Sequence, residues 1–315
     1  MKDDFRPVKS AIHPELVQPL KRVPAFSIHH WSIPILRILG RFLQPKSNLE
    51  GVEISERTAG ETRLRILRPA DAEPTGTLLW MHGGGLILGT PAQEDGRCAE
   101  FVRTLGLVVI STYYRLAPQN PYPAALDDCH SAWNWLQANL DEFGLEPSRV
   151  AIGGGSAGAG LAASLSQRLY DEGGPQPAGQ LLVYPMLDDR TAARRELDAE
   201  KHPIWNNTSN LTGWSSYLGD APGVASTPEY AVPARRADLR GLPPAWIGVG
   251  TLDLFLAESR TYAKRLEEAG VVCRFDEVPG AVHGFDGIAP DASISKQFLN
   301  GQLSFLRECL ALPAA

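Results

Sequence analysis

Residues 149–160 read RVAIGGGSAGAG, a short apolar run that meets a glycine cluster and then an alanine- and leucine-rich helical pattern. Gly154, Ser156 and Gly158 form G-x-S-x-G, the signature of a sharp strand-to-helix turn with a serine at its apex. Such a turn holds the serine in strained backbone geometry, so the residues two away on each side must lack side chains. The turn lifts the hydroxyl out of the sheet and points the next backbone N–H, that of Ala157, toward a reacting carbonyl. Gly153, Gly155 and Gly158 also spell G-x-G-x-x-G, a dinucleotide-binding pattern that needs an acidic residue about 20 positions on, at the end of the next strand. Asp171 and Glu172 precede that strand and Asp188 lies 30 residues after Gly158, so the serine turn fits better. No Lys-Ser/Thr pair follows, which removes a phosphate-binding P-loop.

The rest of the chain alternates in the same manner. Residues 77–81, 107–111, 150–153, 181–184 and 245–249 read as buried strands, and residues 271–278 as a late strand. Between and after them, residues 94–105, 124–140, 157–172, 258–269 and 293–312 carry helical periodicity. An antiparallel pair with a turn near Ala59 and Gly60 precedes this series. The alternation predicts an α/β fold with a mostly parallel central sheet flanked by helices on both faces. Two regions break the rhythm: residues 1–49, and residues 190–223, which are rich in Trp, Asn and Ser. Both are too long for ordinary connections and read as lids over a site.

Composition narrows the function. The charge is −6, from 30 basic and 36 acidic residues, with no basic run, so a nucleic-acid backbone would be repelled. The four cysteines, Cys98, Cys129, Cys273 and Cys309, form no C-x-x-C and no zinc spacing, and read as free thiols of a reducing compartment. The first ten residues carry Asp3, Asp4, Arg6 and Lys9 with no apolar stretch behind them, unlike a secretory leader. Residues 26–43 are apolar but interrupted by two histidines, Pro34, Arg37 and Arg41, and read as an amphipathic segment rather than a membrane span. A cytoplasmic protein without stable membrane insertion is expected.

Three further features complete a chemical pattern. His82, Gly83, Gly84 and Gly85 end the strand at 77–81, 74 residues before Ser156. A glycine triplet there lets backbone N–H groups approach a developing oxyanion, although the sequence leaves open which of Gly83, Gly84 and Gly85 donate. Asp253 follows the 245–249 strand, and His283 lies in a loop after the last strand. The order Ser156, Asp253, His283 is that of α/β-hydrolases. Asp188, Asp189, Asp276 and Asp286 are weaker candidates for the acid, because none follows the penultimate strand. His13, His29, His30, His130 and His202 have no matching context.

With these blocks the chain resembles the hormone-sensitive-lipase family of carboxylesterases, over roughly residues 50–311. Tyr114-Arg115-Leu116-Ala117-Pro118, Pro123-Ala124-Ala125-Leu126-Asp127-Asp128, Leu242-Pro243-Pro244 and Val282-His283-Gly284-Phe285 carry the likeness besides the two glycine motifs. The resemblance implies the α/β-hydrolase fold with a helical cap made by residues 1–49 and 190–223, and a core of residues 50–189 and 224–315. It implies a serine esterase for short- to medium-chain carboxylic esters, and a homodimer through the last strand and C-terminal helix. The chain departs from the family at Gly155, where an acidic residue is usual, at Leu86, often aromatic, at Gln119-Asn120, usually Glu-His, and in the segment after Asp253.

The chemistry expected is acyl transfer to water, with Ser156 as nucleophile, His283 as base and acid, and Asp253 orienting the imidazole. Gly84, Gly85 and Ala157 would hold the oxyanion, with no metal and no organic cofactor. A non-catalytic small-molecule receptor on the same scaffold and an amidase are the alternatives. Plant gibberellin receptors resemble the family but lack the catalytic histidine, whereas His283 is present here.

Overall fold

A computed structural model describes residues 11–24, 26–42, 47–200 and 202–313. Part of the expected N-terminal lid, including its charged first ten residues, lies outside the described residues. Among the described residues the eight strands are β1 (Val52–Ala59), β2 (Thr62–Pro69), β3 (Gly76–Met81), β4 (Leu107–Thr112), β5 (Val150–Gly155), β6 (Gln180–Val183), β7 (Ala245–Gly250) and β8 (Cys273–Val278). The helices are α1 (Pro14–Leu20), α2 (Ile33–Phe42), α3 (Asp95–Leu105), α4 (Ala124–Ala138), α5 (Ala157–Glu172), α6 (Asp189–Ala193), α7 (Asn207–Leu218), α8 (Leu256–Glu268), α9 (Phe285–Ile288) and α10 (Ser293–Cys309).

The strands form one sheet in the order β1-β2-β4-β3-β5-β6-β7-β8. β1 and β2 pair antiparallel with each other, and β2 continues antiparallel onto β4. The hairpin expected at Ala59-Gly60 is therefore an extension of the main sheet. From β4 to β8 every pairing is parallel, as the strand-helix alternation predicts. β3, β4, β5 and β7 are buried along their whole length, because helices cover both faces and each side chain meets apolar packing whichever way it points. One face packs Leu126 and Trp133 of α4, Leu161 and Leu165 of α5, and Tyr262 and Leu266 of α8. The other packs Phe101, Val102 and Leu105 of α3 with Phe298, Leu303 and Leu306 of α10.

Element boundaries differ from expectation at points that matter for the site. β5 runs through the glycine cluster to Gly155, beyond the expected end at Gly153. β6 stops at Val183, and Tyr184 leaves the strand with φ +37°, because the chain must turn there beside the serine. β8 begins at Cys273 rather than Val271.

The two irregular regions pack on each other. Backbone groups of Ile28 are held by the hydroxyls of Ser209 (2.9 Å) and Thr212 (2.8 Å), and Asn206 Nδ2 donates to the carbonyl of Phe26 at 3.2 Å. Arg37 on α2 donates through Nε to the carbonyl of Ile87 at 2.8 Å and through Nη2 to that of Ala117 at 2.6 Å. It also donates to Gln119 Oε1 at 2.6 Å, so the uncommon glutamine has a partner. Among the described residues, no helix is long and apolar enough to cross a membrane.

Candidate active site

Ser156 stands between β5 and α5 with φ +55° and ψ −118°. A non-glycine residue in that region costs of order 1–3 kcal/mol and persists only where surrounding contacts over-determine it. Those contacts are visible. Ser156 N–H donates to Val183 O on β6 at 2.9 Å, and helix α5 presses directly on the end of β3. A Cβ on Gly158 would lie 2.0 Å from Met81 O, and one on Gly154 would lie 2.4 Å from the carbonyl carbon of Gly158. The two flanking glycines are thus required by backbone-to-backbone approach, as the turn's mechanics predict.

Asp253 and His283, 97 and 127 positions after Ser156, converge with it above the sheet. The Ser156 hydroxyl lies 2.9 Å from His283 Nε2, and His283 Nδ1 lies 2.8 Å from Asp253 Oδ2. A carboxylate can only accept, so Nδ1 carries the proton and Nε2 is left to accept from the serine. The other carboxylate oxygen, Asp253 Oδ1, accepts from Phe255 N–H at 2.9 Å, which fixes the acid from behind. All three residues are buried. The imidazole is gripped edge-on by Phe255 (centroids 5.2 Å apart) and Tyr184 (4.8 Å), so it has one orientation available.

The loop after β3 passes beside the serine: a Cβ on Gly83 would sit 3.5 Å from Ser156 Cβ. Among the described residues no backbone or side-chain acceptor takes the N–H of Gly84, Gly85 or Ala157. Ala157 is the first residue of α5, so its N–H also carries the positive end of the helix dipole. Gly85 has φ +61°, and a Cβ there would lie 2.0 Å from Trp205 Cη2. The indole of Trp205, from the 190–223 insertion, thus rests on this loop. In the sequence Trp205 is only one of the two tryptophans of that insertion, with Trp214; its contact with Gly85 has no local signal.

His82 anchors the same loop without joining the reacting groups. Its ring stacks on Tyr114 (4.2 Å, 12°), Tyr114 Oη donates to the His82 carbonyl at 2.7 Å, and Nδ1 lies 2.7 Å from Gly83 O. Burial lowers its pKa to about 4 from an ordinary 6.5. Between those values the unfolded chain binds a proton that the folded chain refuses, so stability is full above about 6.5 and falls as pH drops toward 4. The loss at pH 4 approaches about 3 kcal/mol. Urea unfolding at pH 7 and pH 4.5 measures it, and His82→Asn, which cannot titrate, is expected to flatten that part of the dependence.

The other sequence candidates lie apart from the triad. Asp189 pairs with Arg235 (2.7 Å), Asp276 accepts from Trp246 Nε1 (2.8 Å), and Asp188 pairs with Arg190 (2.7 Å). His13 caps α1, His30 faces Ser215 and Ser216, and His130 pairs with Glu172. His202, unmarked in the sequence, places Nδ1 3.2 Å from the carbonyl of Leu252, next to Asp253. Glu258 was also unmarked as a structural anchor. It is buried, accepts from Leu187 N–H at 2.7 Å and from the Thr191 hydroxyl, and so ties α8 to the start of the insertion. Desolvation pushes its pKa well above the usual carboxylate range.

Behind the Ala157 side of the site lies a cavity of about 10 Å³, lined by Leu86, Ala157, Leu161, Met186, Trp214 and Tyr217 among others. That is about the room of one water-sized sphere. None of these side chains is among the rings that grip His283.

Known proteins are similar to this chain in sequence and fold. Residues 78–287 match a family model described as alpha/beta hydrolase fold. Carboxylic ester hydrolase LipN of Mycobacterium tuberculosis is 36% identical over 264 residues, 80% of this chain and 68% of the relative. A bacterial heroin esterase superposes with a TM-score of 0.89 at 33% identity, covering 96% of this chain and 99% of its own. An esterase from the bacterial hormone-sensitive lipase family superposes with a TM-score of 0.81 at 26% identity, covering 95% and 99%. The chain belongs to the hormone-sensitive-lipase family of carboxylesterases, within the alpha/beta hydrolase fold.

Proposed function

We propose that Ser156, His283 and Asp253 are the catalytic triad of a serine carboxylesterase, and that Gly84, Gly85 and Ala157 supply its oxyanion hole. The observation that carries this reading is the unbroken hydrogen-bond line from Asp253 through His283 to Ser156 Oγ at 2.8 and 2.9 Å. His283 Nε2 takes the serine proton as Oγ attacks the ester carbonyl. The resulting oxyanion is held by free backbone N–H groups, each worth about 10²–10³ in turnover. Collapse of the tetrahedral intermediate expels the alcohol, which receives the proton from Nε2. Water then attacks the acyl-enzyme by the same sequence, with His283 again as base, and releases the acid. Asp253 stabilises the imidazolium in both halves without itself taking the proton.

The same geometry bears on the size of the acyl group. The leaving alcohol must lie near His283 to be protonated, so the acyl group lies on the opposite side, toward Ala157. A small cavity lies on that side, walled by Leu86, Ala157, Met186 and Trp214, and its apolar lining supports a short acyl group. The N-terminal segment and residues 190–223 act together as a cap, and Trp205 is its contact with the oxyanion loop. Four thiols with no disulfide partner support a cytoplasmic setting. A homodimer through β8, the last strand of the sheet, and α10 belongs to the same reading.

A stoichiometric organophosphate adduct on Ser156, with hydrolysis of chromogenic esters falling steeply from acetyl to octanoyl, is the expected result. Tight ligand binding without an adduct would instead mean a receptor, and faster cleavage of matched anilides would mean an amidase.

A further inference from the structure

A group of partly buried charges lies beside the triad and has no part in the mechanism above. Arg97, on α3, points its guanidinium between the rings of Trp80 and Tyr184, 5.8 Å from each centroid. Arg97 Nη2 donates to Tyr184 Oη at 2.7 Å and pairs with Asp286 Oδ2 at 2.9 Å, while Tyr184 Oη donates to Asp286 Oδ1 at 3.1 Å. Arg97 Nε faces Glu94 Oε2 at 3.3 Å. The side chains of Arg97 and Asp286 are 14% and 10% exposed, so solvent screens these charges only in part.

This group meets the triad at His283 and approaches it again at Gly155. The Tyr184 ring packs edge-on against His283, while its hydroxyl is clamped by Arg97 and Asp286. Tyr184 holds φ +37°, a strained backbone that needs such a clamp to persist. The second approach is at Gly155, next to Ser156. A Cβ built there would meet Tyr184, Trp80 and Glu94 Oε1 at 3.8–4.0 Å. The Glu94 carboxylate therefore occupies the space beneath the residue preceding the serine. Two carboxylates against one guanidinium leave one surplus negative charge around Tyr184, whose ring packs on the imidazole.

We infer that Glu94, Arg97, Asp286 and Tyr184 are positioning residues for His283: Tyr184 holds the ring in line with Ser156, and the surplus charge favours the imidazolium that forms during turnover. The inference rests on the triad reading above. The groups on the imidazole are Asp253 from the loop after β7, Tyr184 from the end of β6 and Phe255, with Asp286, Arg97 and Glu94 grouped around Tyr184. On the cap side His202 lies against Leu252 O and 3.3 Å from Glu200.

The test is the acidic limb of kcat/KM against pH, which reports the free-enzyme imidazole. Asp286→Asn removes an attraction for the proton on His283 and is expected to move the limb down by about 0.5–1 pH unit. Arg97→Gln removes a repulsion and is expected to move it up by a similar amount. The double variant keeps one net negative charge and returns the limb close to wild type. Tyr184→Phe retains the ring but loses both hydrogen bonds, and is expected to lower kcat about tenfold with KM unchanged. A merely structural role would lower activity in every variant without shifts of opposite sign. Limbs unmoved, or moved in one direction by both single variants, overturn the inference. Organophosphate titration of the same preparations counts competent sites, so misfolded protein is subtracted. A wild-type adduct at Ser156 together with unmoved limbs defeats the positioning assembly alone. No wild-type adduct defeats the triad reading and the inference with it.

Discussion

Ser156→Ala is expected to reduce kcat for a short-chain ester by at least about 10⁴-fold, the cost of losing a nucleophile that no neighbour can replace. His283 and Asp253 remain paired at 2.8 Å in that variant but have no hydroxyl to deprotonate. Residual hydrolysis comes only from water held near free oxyanion donors. Alanine tolerates φ +55° no worse than serine, since both carry a Cβ, so urea unfolding of the variant is expected to match wild type within about 1 kcal/mol. Steady-state kinetics and denaturation on one preparation check both halves. Near-normal turnover in Ser156→Ala would sink the triad assignment outright.

Gly158→Ala is expected to cause the largest loss of stability from a single methyl group. Its Cβ would lie 2.0 Å from Met81 O and 2.5 Å from His82 O. These are backbone atoms at the end of a central strand, and a rotamer change cannot move them aside. Relief requires sliding α5 off β3 or displacing the loop that carries Gly83–Gly85. The expected destabilisation is at least about 3 kcal/mol, and the fraction that folds is expected to lose about 10² in kcat through a displaced oxyanion loop. Gly155→Ala is the control. It adds the same methyl group three residues away, where the nearest atom is 3.8 Å off, and is expected to stay within about 1 kcal/mol. A chemical denaturation series on the two variants and wild type decides whether the turn needs side-chain-free positions at two residues' distance, or glycine throughout.

Much of the site was legible because its parts are local. The turn at Gly154–Gly158 combines three requirements on neighbouring residues: a strand that stops, a serine at positive φ and a helix that starts. Each leaves a mark on residue type. The glycine triplet after β3 and the acid after β7 likewise follow their strands directly, so reading the strands locates them. Tyr184 shows the limit. Its apolar neighbours fit a strand, yet it leaves β6 at φ +37° with its ring packed on His283, while its backbone N–H still donates to Gly248 O of β7 at 2.7 Å. Nothing adjacent to it in the chain signals either partner.

The Arg97 group was not legible for the same reason. Glu94 and Arg97 look like an ordinary helical i, i+3 ion pair, and Asp286 like one more acid after the histidine. They become a unit only when α3 and α9 are laid against the same face of the sheet. Trp205 meets Gly85 only when the insertion folds back over the loop, and the cavity beside Ala157 is small only because Met186, Trp214 and Tyr217 arrive from separate segments. The amino-acid order alone determined the sheet's rhythm and which serine, acid, histidine and glycines stand at strand ends, since those depend on local backbone geometry and burial period. Tertiary structure decided how the imidazole is held, which charges gather around Tyr184 and how small the cavity beside Ala157 is, since these depend on distances between residues that the chain keeps far apart.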